Sequence, residues 1–148
     1  MVELDLKFSA AEINLLLHAT EDVGKVLRSI EEVLAVPPER FSSAPLEGHY
    51  RNKISILKAI LSSLEAGALA VRVMQLLNSS DKQHLFELLP EYSDEKGNLY
   101  LRLDKQRMCQ GKVSLSETDS IRIRFKPIKR YRPSGTIDTY RGLLSSIE

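Results

Sequence analysis

The 148-residue chain has one cysteine, Cys109, and no tryptophan. A lone thiol excludes an intrachain disulfide and a zinc cage built from cysteines. The seven glycines never fall into GxGxxG or P-loop spacing, so no phosphate-cradling loop is expected. His18, His49 and His84 are too scattered for an HExxH-type metal helix. His18, in the apolar first strand, reads as a satisfied structural histidine, and Cys109 as a small buried residue. The longest apolar run, residues 66–71, is far too short to span a bilayer. The first ten residues lack the basic start and apolar stretch of a signal peptide. These absences lead away from an enzyme, from cofactor or metal binding and from a membrane, and toward the cytoplasm.

What the chain does have is globular, with 43% hydrophobic and 28% charged residues. A net charge of +1 conceals an uneven distribution. Residues 1–99 carry a net −5, while residues 100–137 carry ten basic and three acidic side chains, a net +7. Such a division marks the second half as a contact surface for something negative.

Hydrophobic spacing sets the expected elements. Residues 13–19, INLLLHA, read as a buried strand, and Thr20 as the N-cap of a helix with its apolar stripe on Val23, Val26, Leu27, Ile30, Val33 and Leu34. Short strands are expected at 41–46 and 54–60. A second helix should start at Ser62 or Ser63 and run to about Leu77. From Ala66 to Leu77 only Arg72 and Gln75 are polar, so this helix is either deep in the core or covered by another subunit. A homodimer through residues 64–77 is therefore one expectation. Ser80 and Gln83 form a capping-box pattern for a third helix.

Asp94 and Glu95 read as solvated turn acids before NLYLRL at 98–103, which alternates like a half-buried strand. Asp104 should cap a helical turn over 105–110. Val113 and Leu115 predict a further strand, and 121–126 alternates strictly. The order implies an α+β domain over residues 1–127, with helices on one face of a five- to six-stranded, mostly antiparallel or mixed sheet. Residues 128–148 read as a basic C-terminal extension with a short helix at 137–147.

In 121–126, Arg122, Arg124 and Lys126 share one strand face about 7 Å apart, near the spacing of successive phosphates. Lys129, Arg130 and Arg132 extend the charge, with Tyr131 among them. Tyr100 and Arg102 share a second strand face, with Lys105, Arg107 and Lys112 following. Cations neutralise phosphates, and aromatic or guanidinium planes stack on unpaired bases. The same pattern is also what an ordinary solvated sheet face shows, and an acidic protein would fit it equally well.

Four segments then carry a family likeness: HATED at 18–22, EGHY at 47–50, NLYLRLDKQ at 98–106 and IRIRFK at 121–126. Together they resemble the archaeal RNA-binding family once described as predicted exosome subunits, across about residues 12–126. The resemblance implies a fold similar to ribosomal protein L5, RNA as the partner and a link to exosomal or ribosomal proteins. His49 and Tyr50 match the family's turn, either locking it against the sheet or stacking on a base. Arg51 stands where the family has glycine, and the tail from Lys129 lies outside the shared pattern. The expected RNA contacts are thus His49, Tyr50, Tyr100, Arg102, Lys105, Arg107, Arg122, Arg124 and Lys126.

Overall fold

A computed structural model describes residues 8–46, 54–128, 140–142, 144 and 145. Five strands form one sheet: β1 (Phe8–His18), β2 (Phe41–Pro45), β3 (Ile54–Leu61), β4 (Leu99–Asp104) and β5 (Ser120–Pro127). Their spatial order is β2-β3-β1-β5-β4, and every pairing is antiparallel. The α+β class expected from the sequence is found, with the purely antiparallel form of the sheet.

Strict alternation decides which face is covered. Ala11, Ile13, Leu15 and Leu17 of β1, Leu57, Ala59 and Leu61 of β3, and Ile121, Ile123 and Phe125 of β5 are all buried. The helices lie over that face. α2 (Ser63–Leu76) packs on β1, while α1 (Val23–Leu34) packs against α2 and against the short α4 (Lys105–Cys109). α3 (Ser79–Glu87) adds Leu85 to the same core.

The ends of the helices follow local chemistry, though not always at the expected residue. Ser62 and Glu65 close a capping box on α2, and Asp104 accepts from the Arg107 backbone N–H at 2.9 Å. Asp22 rather than Thr20 caps α1, accepting from the Lys25 N–H. Asn78 rather than Ser80 caps α3, because its carbonyl oxygen reaches the Asp81 N–H at 2.8 Å.

Three further expectations are corrected. Val113 and Leu115 make only isolated bridges, to Leu77 and Leu103 respectively, since the Leu115 N–H is taken by the Asp81 carboxylate at 2.8 Å. His18 ends β1 exposed instead of buried. Asp94 is no idle turn acid: its carboxylate accepts from Lys96 N, Asn98 N, Asn98 Nδ2 and the Tyr100 hydroxyl.

The described residues of the segment read as a C-terminal extension reach the core. Tyr140 is fully buried, stacks on Phe8 at 6.2 Å and donates to Gly97 O at 2.6 Å, and Leu144 is buried beside it. Residues 140–142, 144 and 145 are helical. On α2 the inward residues are Ala66, Leu69, Ala70, Val73 and Met74. The large apolar side chains it leaves exposed, Leu64 and Leu76, stand about 18 Å apart along the helix and make no continuous patch. No described helix is long and apolar enough to cross a membrane.

Candidate nucleic-acid interface

The second face of the sheet carries none of the described helices, and its residues stand in register as rows. One row runs from Ser42 on β2 through Lys58, Asn14 and Arg122 to Arg102 on β4. The next holds Ile60, Glu12, Arg124 and Tyr100. Lys126 lies opposite Ala10, one step further along β5. With strands about 4.8 Å apart, Lys58 and Arg102 are separated by about 14 Å of row. Five cations from three strands therefore share one solvent-facing surface.

They are not equally free. Glu12 sits in the middle of the face and is the acid they share. It pairs with Arg124, with Lys58 at 3.0 Å and with Lys126 at 3.8 Å. Burial alone would raise its carboxyl. Hydrogen bonds and charge from Lys58 and Arg124 outweigh that and hold it below the ordinary glutamate value. Arg102 and Arg122, by contrast, are exposed, and their guanidinium groups have no hydrogen-bond or ion-pair partner among the described residues. They are direct cross-strand neighbours. Like charges placed directly opposite each other destabilise a sheet. This pair is thus a local cost to the fold, and an anion laid between them would relieve it.

Tyr100 adds a ring. Its hydroxyl donates to the Asp94 carboxylate at 2.9 Å, while the residue stays 41% exposed. The hydroxyl tether limits how this exposed ring can turn. Glu12, Asn14, Tyr100, Arg102, Arg122 and Arg124 line a shallow depression between these groups.

Of the contacts expected from the sequence, Tyr100, Arg102, Arg122, Arg124 and Lys126 come together here. Arg107 is exposed on α4, outside the strand rows. Lys105 must be removed from the surface altogether. It is 2% exposed, and its ammonium donates to Leu16 O at 2.8 Å while pairing with Glu21 at 2.9 Å and Asp119 at 3.0 Å. His49, Tyr50 and Arg51 lie outside the described residues, as do Lys129, Arg130, Tyr131 and Arg132. Sequence reasoning missed Lys58, Asn14 and Glu12. The signal for Lys58 was present, since a single lysine alternates with inward Leu57 and Ala59 in the run 54–61.

His18, Glu21 and Asp119 bring three ligand-type atoms within 4.8 Å of one another. The Lys105 ammonium already bonds to both carboxylates and offsets one of their two charges without an ion.

The sequence matches the family model described as RNA binding over residues 10–127. This chain belongs to that RNA-binding family. It is 34% identical over 120 residues to the RNA-binding protein PAB1135 of Pyrococcus abyssi, covering 77% of this chain and 78% of that one. It is 28% identical over 119 residues to an uncharacterised protein of Methanocaldococcus jannaschii. Solved structures agree on the fold. A DUF54 protein of Sulfolobus solfataricus superposes with a TM-score of 0.76 at 24% identity, and one of Methanothermobacter thermautotrophicus with 0.74 at 23%. Each match covers 93% of this chain and 98% of the other. The likeness to ribosomal protein L5 stays with the sequence resemblance.

Proposed function

We propose that this chain is a non-catalytic, cytoplasmic RNA-binding protein that lays an RNA strand across the open face of its sheet. Phosphates sit on the cationic row and a base stacks on Tyr100. The observation that carries this reading is the Arg102–Arg122 pair, two unneutralised guanidinium groups held side by side on a rigid sheet. Guanidinium forks match phosphate oxygens in geometry as well as charge. Most of the described face offers charge to phosphates instead of a pattern of donors and acceptors to base edges, so discrimination among sequences should be weak.

The reading is tested by titrating a short single-stranded RNA at several salt concentrations. Lys58, Arg102, Arg122, Arg124 and Lys126 less the charge of Glu12 leave about four phosphates to neutralise, so log K against log salt should fall with a slope of about −3. No affinity at low salt, or a slope near zero, would remove the proposal.

Glu12→Gln separates binding from folding. It frees Arg124, Lys58 and Lys126, so the slope should steepen by about 0.7 and affinity should rise severalfold. Stability should fall by about 1 kcal/mol as the charged hydrogen bonds weaken. A purely structural surface would show the loss without the gain, in paired binding and thermal-melt measurements.

A second reading, docking on an exosomal or ribosomal protein, draws on Ile60 at 62% exposure and Leu64 at 88%. Self-association through α2 belongs to the same reading. A chain that sediments as a monomer at high concentration would count against the dimer.

A further inference from the structure

Beside the cationic row, the open face is hollowed into a cavity of about 290 Å³. Leu16 of β1 and Ile56 of β3, cross-strand partners, form its apolar floor. Thr118, Asp119 and Ser120, leading into β5, form one wall. Asn14 and Arg122 line both this cavity and the depression beneath Tyr100, so the two hollows adjoin.

The cavity is braced. The buried Lys105 ammonium bonds at once to Leu16 O on the floor strand and to the Asp119 carboxylate on the wall. The floor therefore cannot slide against the wall without breaking a buried charged hydrogen bond. Meanwhile the Asn14 side-chain amide makes no hydrogen bond among the described residues. An amide offers both a donor and an acceptor, which is what the edge of a heterocycle requires.

We propose that this cavity takes one unpaired nucleobase of the bound strand, while the adjoining phosphate rests on Arg122 and Arg102. Leu16 and Ile56 pack against the face of the base, and Asn14 meets its polar edge. The volume, at the lower limit for ligand pockets of about 300 Å³, suits a single heterocycle and not a base pair. Bases inside an A-form helix cannot enter, because their faces are stacked. The occupant is thus a single-stranded RNA segment or loop. This rests on the RNA-binding reading above and adds to it a preference for unpaired strands.

The test uses the full chain with three fluorescent probes: a short oligoadenylate, an abasic ribose-phosphate oligomer of the same length, and a duplex of equal phosphate count. Oligoadenylate should bind about tenfold tighter than the abasic oligomer at the same salt, the scale of one base contact. It should likewise exceed the duplex. Leu16→Ser with Ile56→Ser removes the floor without changing charge, and should narrow that gap to what stacking on Tyr100 alone supplies while leaving abasic binding unchanged. Asn14→Leu, a substitution on the solvent-facing side, should narrow the gap too and serves if the double variant fails to fold. Equal binding of oligoadenylate and the abasic oligomer, or a gap unaffected by a folded variant, overturns the cavity assignment and leaves the phosphate surface standing. Failure of all three probes at low salt overturns the RNA reading itself, and the cavity with it.

Discussion

Replacing Arg102 and Arg122 together with alanine should lower the affinity for a short single-stranded RNA by about a hundredfold, while leaving the protein slightly more stable. Each guanidinium is expected to make one charge-assisted contact to phosphate, worth about 1.5 kcal/mol, and two such contacts make about 3 kcal/mol. The salt slope should become shallower by about 1.4, because two fewer counterions are displaced. The rise in stability follows from the cross-strand geometry. Two like charges directly opposite on β4 and β5 repel each other, and their removal should return a few tenths of a kcal/mol, up to about 1 kcal/mol. Opposite signs for binding and stability distinguish a functional pair from a solvated face that happens to be basic. Isothermal titration at two salt concentrations and a denaturant melt supply both readings. Unchanged affinity, or a variant that loses stability together with binding, would place phosphate recognition elsewhere.

How much of this surface the sequence disclosed depends on where each residue stood in its element. In β5, Arg122, Arg124 and Lys126 alternate with Ile121, Ile123 and Phe125, so their shared face is legible from period two alone. Tyr100 and Arg102 are legible for the same reason. What alternation cannot supply is the order of strands. Lys58 joins Arg122 in one row only because β1 lies between β3 and β5, and that placement depends on Asn14 pairing with Lys58 and with Arg122, both distant in sequence.

Glu12 was hidden for a related reason. It lies in the N-terminal half of β1, ahead of the apolar run 13–17 that marks the strand. Phe8 and Ala11 extend the same strand through a bulge near its start. A surplus of positive charge counted along the chain therefore overstates the surface, because a carboxylate from the acidic half folds into its centre.

Lys105 is the case in which local reasoning failed outright, and its replacement gives the largest expected stability effect. By spacing it follows Arg102 and precedes Arg107, so it reads as one more cation on a basic stretch. Asp104 caps α4, however, and the turn this starts directs the Lys105 side chain inward, against β1. Lys105→Met should cost about 3 kcal/mol, the low end for breaking a buried ion pair, because Glu21 and Asp119 keep some contact with water. For a chain of this length that is a fall in Tm of about 6–12 °C. Below the melting range the salt slope for RNA should be unchanged, since Lys105 touches no phosphate; a slope shallower by about 0.7 would return it to the binding surface.

Acid should also shrink the gap between the native protein and this variant. In the native chain, burial would raise the Glu21 carboxyl, but hydrogen bonds from Lys105 and the His18 backbone, with the Lys105 charge, hold it below its ordinary value of 4.5. A lowered carboxyl contributes stability that is present above the unfolded value and is lost as pH falls through the folded one. In Lys105→Met the thioether side chain offers no ammonium to Glu21, so its burial is no longer offset by that charge and protonation relieves it. Stability measured from neutral pH down through the carboxylate range should therefore fall more steeply for the native protein than for Lys105→Met. Parallel curves would mean that the ammonium and the Glu21 carboxylate are not coupled.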